Sequence, residues 1–293
     1  MEKAKRKKRF TFTLRARDAV TGYAFLLPWI IGFFVFTMYP FFYSIFLSFN
    51  NVTLAPGGMI YEWVGFTWYI EAIQHSTTFT IALIESLQSV IFSVPIIVVT
   101  CLIIAILLNG HFRGRAFFRA LFFFPAIVIS GPVINELIAN NAATIVSPGQ
   151  YTIYNFIDNL GIVGTPLIYV FDHIVTILWF SEVQILIFLA GLQKISRPLY
   201  EAASIDGASS WQFFWKITLP YMKPMILINT VYTIVVLSGF STTPVNEEIR
   251  NHMRTIGRVF SYSSALSWIS FVITFLLIGF VFFLFRDKER IEI

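Results

Sequence analysis

From Phe79 to Leu108 the chain carries one charged residue, Glu85, in an apolar run broken only by Pro95 and a few polar side chains such as Gln88 and Ser89. At about 1.5 Å per residue a helix of this length more than crosses the ~30 Å hydrocarbon core of a bilayer. Backbone polar groups at that depth must be satisfied within the segment, so the run is expected to be a membrane helix that stops at Asn109-Gly110. Similar runs predict further spans at about 20–49, 116–139, 173–193, 220–240 and 265–285. Pro28 and Pro40 kink the first; Pro125, Gly131 and Pro132 loosen the third, with Asn135 and Glu136 near its far end. Composition agrees: 57% hydrophobic, 13% charged, 33 phenylalanines and a mean hydropathy of +0.74 lie far from the balance of soluble domains. The expected fold class is an all-α membrane protein of six helices.

Charge placement gives the expected orientation. Eighteen of the 21 Lys and Arg residues fall in a basic tail (residues 1–19), the loop 109–119, the stretch around 194–223 and a short charged tail at 286–293. The stretches 51–78 and 140–172 contain none. With both termini cytoplasmic, six spans satisfy the positive-inside rule, and five or seven would separate the two tails. The remaining Arg250, Arg254 and Arg258 lie in the loop after the fifth span, offset by Glu247 and Glu248. A basic N-terminal tail also suits a nucleic-acid arm. Its position directly before a span favours adhesion to anionic lipid, so no nucleic-acid partner is expected. The apolar run behind it is too long for a cleaved signal peptide. Tyr61, Trp63, Phe66, Trp68 and Tyr69 are expected along the outer interface. Asn51-Val52-Thr53 matches a glycosylation triplet that is frequent by chance.

The longest motif-dense polar run, Leu199 to Pro224, reads as two short helices. Ser196 is expected to cap the first, with Pro198 in its first turn, and Gly207 to close it in a left-handed turn. The Ala202-Ala203 pair suggests close approach to another surface. A second helix is expected to start near Ser209 and Ser210, carry Trp211, Phe213, Phe214 and Trp215, and lead through Leu219-Pro220 into the next span.

The order Glu201-Ala202-Ala203, Asp206-Gly207-Ala208, Ile217-Thr218-Leu219-Pro220, placed between the fourth and fifth spans, resembles the EAA loop of permease subunits of binding-protein-dependent ABC importers. The phrase IFLAGLQKISRPLYEAASIDGAS resembles the sugar-permease, maltose-type branch. The resemblance implies a type I importer permease in a prokaryotic cytoplasmic membrane, working by alternating access. Its coupling helix would seat in a partner ATPase. Glu201 would make a polar contact there, Ala202 and Ala203 would permit close packing, Asp206 would belong to the same coupling motif, and Gly207 would set the turn. It also implies a second homologous permease, two ATPase subunits that bind ATP and Mg, an extracytoplasmic solute-binding protein and a carbohydrate cargo. One departure is visible: where such permeases commonly carry a Gly-Gly-Pro turn, this chain reads SGFSTTPVNEEIRNHMRT, whose charges favour a helical segment facing a partner.

The residues themselves point away from catalysis. No G-x-x-x-x-G-K-[ST] run is present, so nucleotide is left to a partner. Cys101, inside a span, excludes an intrachain disulfide and a thiolate metal site, and reads as a packing residue. His75, His111, His173 and His252 lack metal-ligand spacing, and no cofactor is expected in this chain. Polar groups at membrane depth remain. Glu182 lies about 12 Å into the fourth span and Asn229 about 14 Å into the fifth, with Gln184 and Tyr232 near the same depth. A carboxylate there costs on the order of 2.5–3.5 kcal/mol on insertion scales, so these four are candidates for the substrate path, with interhelical hydrogen bonding as the alternative. Glu85 and Glu136 lie nearer an interface. Aromatic faces, at 18% of residues, and amide groups would suit a sugar. Amino acids, peptides or polyamines are the alternative cargo. An ion-coupled carrier is disfavoured, since it needs no coupling loop and no paired inverted repeat is visible.

Overall fold

Proline placed inside a long apolar helix removes one N–H and crowds the carbonyl four residues back. The backbone accommodates this in the same way at two sites. Ahead of Pro40, residues Phe34–Met38 widen into a π-helical turn closed by Tyr39 N–H donating to Phe34 O. Ahead of Pro220, Phe214–Thr218 does the same through Leu219 N–H and Phe214 O. Each turn lets the helix continue past its proline, as a run through Pro40 and Pro220 requires.

The computed structural model describes residues 14–110, 113–120, 174–253 and 260–286. The chain divides into two units, Met1–Ile70 with His252–Trp268, and Glu71–Asn251 with Ile269–Ile293. In the first, α1 (Leu14–Phe33), the π turn and α2 (Tyr39–Ser48) follow one another, and Asp18–Ser48 is long and apolar enough to cross a membrane. An antiparallel hairpin follows, β1 (Asn50–Ala55) and β2 (Gly58–Trp63), joined at Pro56-Gly57, with Asn50 opposite Trp63 and Ala55 opposite Gly58. The short α3 (Thr67–Ile70) brings Trp68 inward: its Nε1–H donates to Asn50 O at 3.1 Å and its ring meets Tyr262 edge-on. Trp68 is therefore a core residue, not the interfacial ring its neighbours suggested. Tyr69 is half-buried, and its hydroxyl donates to Ser48 Oγ at 2.7 Å.

In the second unit α4 (Thr77–Asn109) is the central helix, started by Ser76, whose side chain accepts from Phe79 N–H. Pro95 sits within it without ending it. Against α4 pack α6 (Glu182–Lys194) and α9 (Leu219–Ser238), burying Ile97, Cys101, Ile185, Phe188, Met222 and Ile234. The buried thiol of Cys101 lies among these apolar side chains as a packing group. After α9 comes α10 (Pro244–Met253), helical as its charge pattern suggested, with Val245 N–H donating to Ser86 Oγ and Thr78 Oγ1 to Glu248 Oε1. The last helix, α11 (Ser261–Phe285), contributes its residues from Ile269 onward to this unit.

Among the described residues four helices are long and apolar enough to span: Asp18–Ser48, Thr77–Asn109, Ser210–Ser238 and Ser261–Phe285. They match the first, second, fifth and sixth predicted spans. Most of the third, 116–139, lies outside the described residues. The fourth is corrected: in place of one helix over 173–193 there are two, α5 (Ile174–Trp179) and α6, interrupted at Phe180-Ser181. The buried Ser181 hydroxyl donates back to Ile177 O and its N–H to Leu178 O, so the side chain and a tightened turn take over the helical ladder.

Candidate functional site

The turn between α6 and α9 is built from local chemistry. Helix α7 (Arg197–Ile205) starts with Pro198 in its first turn, where no intrahelical N–H is needed. Ser196 stands in extended conformation before it but makes no side-chain cap, which corrects the expected capping bond. Its carbonyl accepts from Leu199 N–H instead. The end is closed by a two-bond motif: Gly207, at φ +75°, donates its N–H to Ser204 O at 3.0 Å, and Ala208 N–H donates to Ala203 O at 3.0 Å. That is the Schellman arrangement, which requires a left-handed residue at Gly207.

One face of α7 is held down. Leu199 and Tyr200 pack on the core, the Tyr200 hydroxyl lies 2.8 Å from Thr218 Oγ1, and its ring meets Phe213 edge-on at 5.8 Å. The other face is open: Glu201, Ala202, Ser204, Ile205 and Asp206 are exposed, Ile205 at 87%. The Ala pair is split between faces, Ala203 half-buried and Ala202 outward. An isoleucine this exposed beside an unpaired Glu201 makes a small apolar and acidic surface with no partner among the described residues.

Ser209 then caps the next helix, α8 (Ser210–Phe213), in a capping box with Gln212: Ser209 N–H donates to Gln212 Oε1 at 2.8 Å, and Gln212 N–H to Ser209 Oγ at 3.4 Å. Through the π turn α8 runs into α9, so α7 is tied at one end to α6 and at the other to α9 with few free torsions. Ser209→Ala is expected to lower local stability by about 1 kcal/mol, read as faster amide exchange at Gln212 and Phe213.

The same two helices carry the four polar residues expected at membrane depth. Gln184 on α6 and Asn229 on α9 are both buried and bonded across the seam: Asn229 Nδ2 donates to Gln184 O at 3.2 Å, and Gln184 Nε2 to Thr233 Oγ1 at 3.1 Å. Thr233 in turn donates to Asn229 O at 2.7 Å. Thr233 was not singled out from the sequence; its signal is the four-residue spacing that puts it on the same face as Asn229. Glu182 and Tyr232 do not join this set. Glu182, half-buried in the first turn of α6, continues the exposed line Leu186, Ala190, Gln193 on the opposite side. Half-buried Tyr232 lies along the exposed line Ile228 and Val235 of α9. Of the four, Gln184 and Asn229 thus form a buried set with Thr233, while Glu182 and Tyr232 face elsewhere. Buried oxygens without a hydrogen-bond partner remain at Glu182 Oε2, Gln184 Oε1 and Asn229 Oδ1.

Seam packing is close because Gly191 has no side chain: a Cβ there would lie 2.7 Å from Met225 Cγ and 3.1 Å from Met222 Cε and Sδ. Within a bilayer such close backbone approach, more than hydrophobicity, holds helices together. Asn229→Ala is expected to cost about 0.6 and at most about 1.7 kcal/mol in a detergent unfolding titration, the range for single interhelical polar contacts in membranes. Among the described residues no three His, Cys, Asp or Glu side chains cluster as metal ligands.

Comparison with known proteins agrees with this architecture. The family described as "Binding-protein-dependent transport system inner membrane component" matches residues 64–288. The chain is 31% identical over 283 residues, 88% of its length and 87% of the relative's, to the probable ABC transporter permease protein YesP of Bacillus subtilis (strain 168). It is 32% identical over 245 residues, 80% of its length and 73% of the relative's, to the arabinooligosaccharides transport system permease protein AraP of Halalkalibacterium halodurans. To the trehalose/maltose transport system permease protein MalF of Thermococcus litoralis it is 29% identical, over 75% of its length and 74% of the relative's. Its fold is like that of a chain in the crystal structure of a bacterial ABC transporter involved in the import of the acidic polysaccharide alginate, at a TM-score of 0.65 and 22% identity, covering 94% and 97% of the two chains. With most of its length matched and an EAA-type helix between α6 and α9, the chain belongs to the family of binding-protein-dependent transport system inner membrane components, as a non-catalytic, multi-pass permease subunit of an ABC transporter.

Proposed function

We propose that this permease moves a carbohydrate of the oligosaccharide class from an extracytoplasmic binding protein into the cytoplasm of a prokaryote by alternating access. The cargo reading is supported by the relatives, whose names state transport of arabinooligosaccharides, of lactose and of trehalose and maltose. In this reading six spans cross the cytoplasmic membrane at about 20–49, 79–108, 116–139, 173–193, 220–240 and 265–285, the fourth broken at its middle. Residues 1–19 and 286–293 are cytoplasmic tails, and the coupling loop is 196–220. A second homologous permease completes the path. Two ATPase subunits hold ATP and Mg and receive the coupling helices.

The observation that carries the mechanism is α7, closed at its C-terminal end by Gly207, tied between α6 and α9, and open on one face. Glu201, Ala202, Ile205 and Asp206 would enter the ATPase, and Gly207 would hold the turn that passes its displacement to α6 and α9. Because the seam of Gln184, Asn229 and Thr233 locks those helices together, they would move as a pair. Glu182 and Tyr232, outside the seam, are then the groups left to face the cargo, and Gln184 and Asn229 act mainly by fixing the walls. Glu182→Gln is expected to change the apparent KM for cargo while the melting temperature of the complex stays that of the parent. The converse, a lost melting temperature with KM unchanged, would make Glu182 structural.

The test is transport by the complex purified with its companions and reconstituted in liposomes with its solute-binding protein. Uptake of a labelled oligosaccharide from a panel of arabino- and malto-oligosaccharides, dependent on ATP at the coupling-helix side, is the expected result. Uptake without ATP would overturn the importer reading, and ATP-dependent uptake confined to amino acids, peptides or polyamines would overturn the cargo.

A further inference from the structure

A helix that ends leaves its last carbonyls without intrahelical partners, and a chain that turns there can pivot unless those groups are bonded. At the end of α9 they are bonded. The Asn246 side chain, half-buried on α10, uses its amide nitrogen twice: Nδ2 donates to Ser238 O at 2.9 Å and to Phe240 O at 2.8 Å. Residues 239–243, between the two helices, are closed by the backbone as well, with Phe240 N–H donating to Leu237 O at 3.2 Å, Thr243 N–H to Phe240 O at 3.3 Å and Glu247 N–H to Thr243 O at 3.0 Å. Pro244, the first residue of α10, has its φ fixed by its ring. A second side of α10 is tied to α4, through Val245 N–H and Ser86 Oγ at 3.2 Å and through Thr78 Oγ1 and Glu248 Oε1 at 2.7 Å. The ring of Phe240 stands edge-on to Phe180, 5.0 Å away, at the break between α5 and α6.

We propose that Asn246 is a positioning residue of the transport cycle: its amide makes the junction of α9 and α10 a fixed corner, so that α10 travels with α9 as one body. The inference rests on the reading of this chain as an ATP-driven permease, in which α7 displaces α9. Helix runs without a break from Ser210 through the π turn to Ser238, so a displacement at the α7 end reaches Ser238 with no joint on the way. The turn into α10 is the place where that motion could be lost. There the two carbonyls converge on one donor group, and an amide nitrogen, with two hydrogens, serves both. A carboxylate of the same shape has no hydrogen to give and would set its charge against two carbonyl oxygens. The face of α10 turned away from the corner, with Glu247, Arg250 and Asn251 exposed, is therefore carried at a fixed angle to α9.

The test uses the complex with its ATPase subunits in liposomes, spin-labelled through Tyr221→Cys near the start of α9 and Arg250→Cys on α10, both exposed positions, with the distance read by double electron–electron resonance. Cys101 is buried, out of reach of the label. The path from Tyr221 to the end of α9 is about 26 Å, within range of the method. One narrow distance is expected, the same without nucleotide and after trapping with ATP and vanadate. Asn246→Asp is expected to broaden it and to lower uptake per ATP hydrolysed several-fold, at the parent's membrane abundance and melting temperature, while Asn246→Gln, which keeps the donor, broadens it less. If Asn246→Asp does not accumulate, Asn246→Ala is read in its place. A parent distance that shifts on trapping, a variant distance as narrow as the parent's, or a broadened distance with uptake per ATP unchanged would overturn the proposal. An unlabelled parent complex without ATP-driven uptake would overturn the importer reading and this inference with it, a failure the uptake assay shows by itself.

Discussion

Gly207→Val is expected to insert and accumulate in the membrane like the parent chain and to lose most ATP-dependent uptake. Space is not the obstacle, because nothing lies within 4 Å of a Cβ built at Gly207. The obstacle is φ +75°, a left-handed conformation that costs an L-residue roughly 1–2 kcal/mol and is least accessible to a β-branched one. To relieve it the chain must give up the Gly207–Ser204 and Ala208–Ala203 bonds that close α7. A bias of that size lowers the population of the closed turn by about five- to thirtyfold. The spans are untouched, so the loss belongs to coupling. Uptake assayed against membrane abundance is the measurement, and normal uptake would sink the coupling role of this turn. Gly207→Asn serves as the control, since asparagine enters the left-handed region more readily and is expected to retain much of the activity.

Gly191→Val is expected to destabilise the helix pair itself. Its new Cβ would stand 2.7 Å from Met225 Cγ, an atom close to the backbone that yields less easily than the far end of Met222. Overpacking of this kind costs about 1–3 kcal/mol. Pushing α6 from α9 also stretches the Asn229–Gln184 and Gln184–Thr233 hydrogen bonds, which were 3.2 and 3.1 Å. A lowered melting temperature of the purified complex is the expected result. Met225→Ala opens the space, so the double variant should be more stable than the sum of the two singles, a coupling that a double-mutant cycle reads directly. A Gly191→Val chain as stable as its parent, with no coupling to Met225, would show that the helices are not in contact there.

The two substitutions also mark where sequence reading reached its limit. Gly207 was identifiable because a helix stop is local chemistry: a glycine after an amphipathic turn, with Ser209 and Gln212 ready to begin the next helix. The long apolar runs were legible for a similar reason, since a bilayer imposes a length and a hydropathy that a short window can measure. Gly191, by contrast, is one glycine in an apolar stretch, and only the neighbouring Met222 and Met225 give it a purpose.

The sequence by itself determined that this chain is a membrane protein with a short helix closed at Gly207 between two of its apolar runs, because run length and helix stops are local chemistry, while the permease reading came from the resemblance of Glu201 to Pro220 to the EAA loop. Tertiary structure decided the rest. Depth along a helix follows from counting, which placed Glu182, Gln184, Asn229 and Tyr232 at one level. Direction around the helix depends on what packs beside it, and Glu182 and Gln184, two residues apart, point to different sides. The break at Phe180-Ser181 arises where the Ser181 hydroxyl turns back on Ile177 O, a competition that apolar periodicity does not reveal. The hairpin at 50–63 needed Phe46, Phe49 and Ser261 to hold it, groups whose meeting across the chain no local pattern encodes.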